Sequence, residues 1–132
     1  MEYSLIPRAE TVREVLALNR ETARYGLTLT AEQAAALTQT QRQALRDTGR
    51  IQFRGGTLEQ HIALFCDSPY IAPDEWERTL HALLELFYQF KNTLGETTGD
   101  ETLMQAMKDA FDGPCQGSLE LLADAFDRKE RL

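Results

Sequence analysis

Residues 73–94 read PDEWERTLHALLELFYQFKNTL, and this stretch decides the fold. Its large apolar side chains recur every three or four residues, the spacing that places them on one face of an α-helix. Pro73 suits a first helical turn because it lacks a backbone N–H, and acids follow it at the positive end of the helix dipole. The sequence therefore predicts a long central helix from about Pro73 to Leu94. Its buried stripe is Trp76, Leu80, Leu83, Leu84, Phe87, Phe90 and Leu94.

The segment just before this helix, Phe65 to Pro73, interrupts the helical pattern and concentrates groups with chemistry. Ser68 precedes Pro69, and the residue before a proline is pushed out of helical geometry. The preceding helix, which begins at Thr57, is therefore expected to end at or near Asp67. Two closely spaced prolines hold such a turn rigid, so the segment is a candidate binding surface. Its polar and reactive members are Cys66, Asp67, Ser68 and Tyr70.

Four further helices follow from apolar periodicity and from capping residues. One runs from about Arg8 to Arg24 and stops at Gly26; another begins at Thr30, where Gln33 completes a capping box, and ends at Gly49. The last two run from about Asp100 to Phe111 and onward from a cap at Ser118. A strand-like alternation in residues 50–54 has only residues 2–6 as a pairing candidate.

We predict an all-α protein: a compact single-domain bundle of five or six helices over residues 1–132, with at most one short two-stranded ribbon. No apolar run approaches the length of about 20 residues that spans a bilayer, and the N-terminus lacks the basic and apolar regions of a signal peptide. Two cysteines are too few for a disulfide scaffold and fit reduced thiols. We therefore expect a cytoplasmic protein that does not associate with membranes.

Charge is unevenly distributed along the chain. Residues 1–54 hold eight arginines and six acids, whereas residues 55–132 hold six bases and fifteen acids. Charged helix faces exposed to solvent are enough to explain this pattern. A more specific hypothesis is that basic residues in 1–54 form a patch that faces a binding partner. Nucleic acid is not expected as a partner, because the net charge is −7 and binding to nucleic acid depends on neutralising phosphates. The arginines that suggest it recur every four residues: Arg42, Arg46, Arg50 and Arg54.

Two short segments carry a family resemblance. They are Phe-Cys-Asp-Ser-Pro-Tyr at residues 65–70 and Cys-Gln-Gly-Ser-Leu-Glu at residues 115–120. With them, the chain resembles an uncharacterised family of small bacterial proteins, a domain of unknown function. The resemblance extends to residues 25–27, 48–51 and 87–92 and implies a self-contained bacterial protein, but it implies no activity.

The two cysteines support three different hypotheses. Structural burial is favoured, because free cysteine is among the most buried residue types. As a nucleophile, Cys115 is the better candidate, since it lies just before the last predicted helix, whose backbone amides can stabilise a thiolate. Together with His61 and His81 the thiols form a two-cysteine, two-histidine set, but their scattered spacing does not match a zinc site. No catalytic residue, metal or other cofactor is therefore assigned.

The favoured function is a non-enzymatic interaction module that binds a protein partner, or a second copy of itself, through the Phe65 to Pro73 turn or an arginine-bearing surface. The first alternative is a thiol-dependent enzyme or redox sensor that uses Cys115 and Cys66. The second is a nucleic-acid-binding regulator that uses Arg42 and the arginines that follow it. The candidate binding residues are Cys66, Asp67, Ser68, Tyr70, Cys115, Arg50 and Arg54.

Overall fold

The computed structural model describes residues 9–48, 57–94 and 99–131, and within them the chain is an all-α bundle without strands. The predicted ribbon, formed by residues 2–6 and 50–54, lies outside the described residues. In chain order the helices are α1 (Ala9–Ala17), α2 (Asn19–Thr22), α3 (Ala31–Thr48), α4 (Thr57–Phe65), α5 (Trp76–Leu94), α6 (Asp100–Asp112) and α7 (Leu119–Arg131).

Helix α5 is the centre of the bundle and packs against α3, α4, α6 and α7. It begins after a single 3-10 turn, Pro73–Glu75, in which the proline occupies the first turn as expected. The predicted stripe is buried from Trp76 through Phe90. Burying a side chain of this size stabilises the fold by roughly 1.5–3 kcal/mol, so this stripe supplies much of the core.

The first predicted helix is not continuous. It breaks at Leu18, where α1 ends and the short α2 begins, and it finishes in a 3-10 turn, Ala23–Tyr25, before Gly26 with φ of 77°. The expectation of one helix from Arg8 to Arg24 was wrong, although the glycine stop was correct. The side chain of Asn19 explains part of the geometry of this break. It donates to the backbone carbonyl of Leu29 and accepts from the backbone amide of Leu29, both at 2.9 Å.

Two predicted helix caps are confirmed. The Thr30 hydroxyl accepts a hydrogen bond from the backbone amide of Gln33 at 3.1 Å. In return, the side-chain oxygen of Gln33 accepts from the backbone amide of Thr30 at 2.9 Å, which completes the capping box. At α7, the Ser118 hydroxyl accepts from the amide of Leu121 at 3.1 Å. These caps fix where α3 and α7 begin, and the second of them places the loop that carries Cys115.

Candidate functional site

The candidate site is made from two turns of the bundle. The first corner, residues 66–72, joins α4 to the turn before α5, and the second corner, residues 113–118, joins α6 to α7. Helix α4 ends at Phe65, two residues earlier than expected, and the Ser68 amide donates to the Phe65 carbonyl at 3.1 Å. The second corner closes α6 with a hydrogen bond from the Gly117 amide to the Phe111 carbonyl at 2.8 Å.

Hydrogen bonds tie the first corner to the end of α6. The buried Ser68 hydroxyl donates to the Asp112 carboxylate at 2.7 Å and accepts from the Tyr70 amide at 3.2 Å. Lys108 forms a second link between the first corner and the end of α6. Its ammonium lies 2.8 Å from the Asp67 carboxylate and 2.8 Å from the Asp112 carboxylate. Burial alone would lower the pKa of Lys108, but hydrogen bonds to Asp112 and Asp67 raise it, so the bridge keeps its positive charge at neutral pH.

Tyr70 joins the first corner to the second. Gly117 has φ of 81°, and a Cβ atom added to it would lie 2.9 Å from the Tyr70 Cγ. Only glycine allows this approach without displacing the tyrosine. Because Tyr70 is still 44 % exposed, it packs against the second corner with one part of its side chain and presents the rest to solvent.

The two thiols are both buried and unpaired. Cys66 is 9 % exposed and donates to the Ala63 carbonyl at 3.4 Å, while Cys115 is 3 % exposed. Burial raises the pKa of both thiols, and the neighbouring Asp67 raises that of Cys66 further. The thiolate, which is the reactive form of cysteine, is therefore the minor species of each at neutral pH.

A pocket of about 130 Å³ adjoins the first corner. Cys66 and Asp67 line it together with residues of α2, of the 3-10 turn that follows α2 and of α4. Its lining residues are Leu18, Glu21, Thr22, Arg24, Tyr25, Ile62, Ala63, Cys66 and Asp67.

A second tyrosine borders the same region. Tyr25 is 41 % exposed, and the Arg24 guanidinium lies 5.0 Å from the centre of its ring. The next residue, Gly26, lies beside Pro73, because a Cβ atom added to it would be 3.6 Å from the Pro73 Cγ. Tyr25 therefore borders the first corner, to which Tyr70 belongs, and we call the residues Arg24, Tyr25, Asp67, Pro69 and Tyr70 together the tyrosine face.

The arginine surface is described only in part. Arg42 and Arg46 lie on α3, where Arg46 is exposed and Arg42 is half-buried. Arg50 and Arg54, which were candidate binding residues, lie outside the described residues, so their part in a site stays a prediction.

A buried polar cluster joins α3, α4 and α5. The Thr57 hydroxyl lies 2.6 Å from the Tyr88 hydroxyl and 3.4 Å from the Gln41 amide nitrogen. One turn along α4, the fully buried His61 places Nδ1 2.7 Å from the Thr57 carbonyl oxygen and stacks on Phe65. Burial lowers the pKa of His61 to about 4, which keeps the ring neutral at physiological pH.

Sequence reasoning missed the residues that join the corners. Lys108 and Asp112 have an ordinary i,i+4 spacing on a helix, and that spacing was the one available signal. This spacing does not indicate that Lys108 also pairs with Asp67, which lies 41 residues away in the sequence. Tyr25 was noted only through the family resemblance.

Two kinds of feature are absent from the described residues. No group of three or more histidine, cysteine, aspartate or glutamate side chains there is arranged to hold a metal ion. None of the described helices combines the length and apolarity needed to cross a bilayer.

Comparison with known proteins identifies a family. The model of a family of unknown function (DUF6323) matches residues 14–130. No curated protein and no solved structure matches the chain.

Proposed function

The chain belongs to this family of unknown function, and we propose that it is a non-enzymatic, cytoplasmic interaction module that binds a polypeptide partner through the tyrosine face. The observation that carries the proposal is the exposure of two tyrosines, since Tyr25, which borders the first corner, and Tyr70, which belongs to it, are both more than two-fifths exposed. Tyrosine is enriched among the residues that dominate binding energy at protein interfaces, because it offers a large, rigid contact area with a hydrogen-bonding end.

The rigidity of the first corner also supports the proposed binding function. The first corner is fixed by the Ser68 hydroxyl, by the Lys108 bridge and by the contact of Tyr70 with Gly117. A surface that is already ordered loses less conformational entropy on binding, so more of the contact energy appears as affinity. A cytoplasmic location is supported by the two free thiols, which fit a reducing compartment.

The proposal is tested by selecting peptides from a random display library on the immobilised protein. A counter-selection uses the Tyr25→Ala/Tyr70→Ala variant, and Leu121→Ala is the matched control, because Leu121 is a 52 % exposed apolar residue on α7 outside the tyrosine face. We expect peptides that bind the wild type and the control equally and the double variant at least about tenfold more weakly. Failure to obtain such peptides, with all three proteins folded, would contradict the proposal.

A further inference from the structure

We propose that the pocket beside Cys66 receives one basic side chain, a lysine or an arginine, of the polypeptide that binds the tyrosine face. This inference rests on the proposed function and deepens it, because it names the charge that the partner must carry. Three observations support it: a carboxylate without a counter-ion, a buried hydroxyl without a hydrogen bond, and the residues that the pocket shares with the tyrosine face.

The carboxylate without a counter-ion belongs to Glu21. It lines the pocket, and within the described residues its side chain forms no ion pair and no hydrogen bond. Arg24 follows three residues later, but its guanidinium lies 5.0 Å from the centre of the Tyr25 ring and forms no ion pair with Glu21. Asp67, the other acid of the lining, is paired with Lys108 at 2.8 Å. A cation that enters the pocket therefore finds a carboxylate that no described residue has neutralised.

The buried hydroxyl belongs to Thr22, the neighbour of Glu21 in the sequence. Thr22 is only 2 % exposed and lines the pocket, and its hydroxyl has no hydrogen-bond partner within the described residues. By contrast, the buried Thr38 donates to the Ala34 carbonyl at 2.8 Å. A buried polar group without a partner is costly, and an ammonium or guanidinium can only donate, so the Thr22 hydroxyl would accept from it.

The rest of the lining suits the stem of a long basic side chain. Leu18 and Ala63 provide apolar contact, and lysine and arginine bury their hydrocarbon stems along such surfaces. The volume of about 130 Å³ fits the end of one side chain, since pockets for drug-sized ligands measure about 300–1,000 Å³. An aliphatic side chain would leave Glu21 and Thr22 without partners, and an acidic one would meet the charge of Glu21.

The pocket and the tyrosine face have three residues in common, which are Arg24, Tyr25 and Asp67. A polypeptide that binds the tyrosine face therefore contacts residues that also line the pocket. The net charge of the chain is −7, so a basic partner is attracted before contact is made. The local carboxylate then selects which part of that partner enters.

The test removes the counter-ion. Glu21→Gln keeps the length of the side chain and removes its charge. Glu32→Gln is the matched control, because Glu32 is an exposed acid in the first turn of α3 that does not line the pocket. Both variants change the net charge by one unit, so a difference between them reports the local contact. The probe is a library-selected peptide whose binding depends on Tyr70, with its lysines and arginines replaced one at a time by alanine.

We expect one basic position of the peptide to lose at least about tenfold in affinity when replaced by alanine. Glu21→Gln should weaken the original peptide to a similar degree and the alanine-substituted peptide hardly at all, whereas Glu32→Gln should change neither. Thr22→Val replaces the hydroxyl with a methyl group and should weaken the original peptide at least about threefold. It should leave the unfolding transition in place, because the hydroxyl has no hydrogen bond to lose.

The outcomes separate this inference from the proposed function. Tyr70-dependent peptides that respond to Glu21→Gln no more than to Glu32→Gln would overturn the pocket assignment and leave the tyrosine face in place. Binding that is lost on Arg24→Gln and kept on Glu21→Gln would indicate an acidic occupant and would also overturn it. Failure to select any Tyr70-dependent peptide would contradict the proposed function and, with it, this inference.

Discussion

Tyr70 lies against Gly117 so closely that no larger residue than glycine fits opposite it. This contact joins two segments that are 47 positions apart in the sequence and that each follow a buried cysteine. Together with the hydrogen bond between Ser68 and Asp112, it makes the two corners one structural unit.

The first prediction concerns two glycines with similar backbone angles. Gly117 and Gly26 have φ of 81° and 77°, so an alanine at either position costs about 1–2 kcal/mol for the left-handed conformation. At Gly117 the new methyl group also collides with Tyr70, whereas at Gly26 it makes ordinary contact with Pro73. We expect Gly117→Ala to lower the free energy of unfolding by at least about 1 kcal/mol more than Gly26→Ala does.

Urea-induced unfolding followed by circular dichroism measures both variants under the same conditions. Equal losses for the two alanines would show that Tyr70 does not rest on Gly117 in solution.

The second prediction concerns the hydrogen bond from Ser68 to Asp112. A double-mutant cycle with Ser68→Ala and Asp112→Asn should give a coupling energy of about 1 kcal/mol, because a buried hydroxyl donates to a charged carboxylate. The control cycle pairs Ser68→Ala with Asp109→Asn. Asp109 is on the same helix and accepts from Gln105, so its coupling to Ser68 should be near zero.

A coupling for Asp112 that is no larger than the control coupling would mean that the first corner is not held by this bond. Its rigidity would then have to come from the Lys108 bridge and the Tyr70 contact alone.

The third prediction uses the fully buried His61, whose pKa is lowered to about 4 from an ordinary value of 6.5. As the pH falls below 6.5 the unfolded chain takes up a proton that the folded protein does not, so the unfolded state is stabilised. Between pH 7.5 and pH 5 the free energy of unfolding should therefore fall by about 2 kcal/mol from this residue alone.

His61→Phe keeps an aromatic ring and removes the titration, so its stability should change less than that of the wild type over this pH range. His81→Phe is the control, since His81 is half-buried and its two ring nitrogens lie 2.7 Å from Thr40 and 3.0 Å from Glu77. A wild-type pH dependence that His61→Phe leaves intact would refute the assignment.

The fourth prediction concerns the thiols. At pH 7.5 iodoacetamide should label Cys66 and Cys115 at least about tenfold more slowly than it labels the urea-unfolded chain, because burial raises the pKa of both thiols and blocks access. Cys66 should react before Cys115, because it lines the pocket and Cys115 does not. Mass spectrometry of digested samples gives both rates, and rapid labelling of Cys115 would instead favour the thiol-dependent alternative.

Much of the fold could be predicted from short-range pattern. The stripe of α5 from Trp76 to Phe90 is buried as expected, since helical periodicity depends only on neighbours within two turns. The caps at Thr30 and Ser118 were also predictable, because a capping hydroxyl reaches an amide three residues away.

The break at Leu18 could not be predicted in the same way. No glycine or proline marks it, and Asn19 there binds the backbone of Leu29, a contact ten residues away that local pattern does not contain. The candidate site shows the same limit. The residues of each corner could be recognised from the sequence. The contact between the corners depends on the ion pairs of Lys108 with Asp67 and Asp112, which no local sequence spacing specifies.

The most direct test of the central claim is to map where a polypeptide binds. A selected, Tyr70-dependent peptide is titrated into the isotopically labelled protein, and the backbone amide shifts are followed by nuclear magnetic resonance. We predict that the largest changes fall in residues 21–26 and 63–72. Changes concentrated instead along the groove between α5 and α7, which is lined by Phe90 and Phe126, would contradict the account.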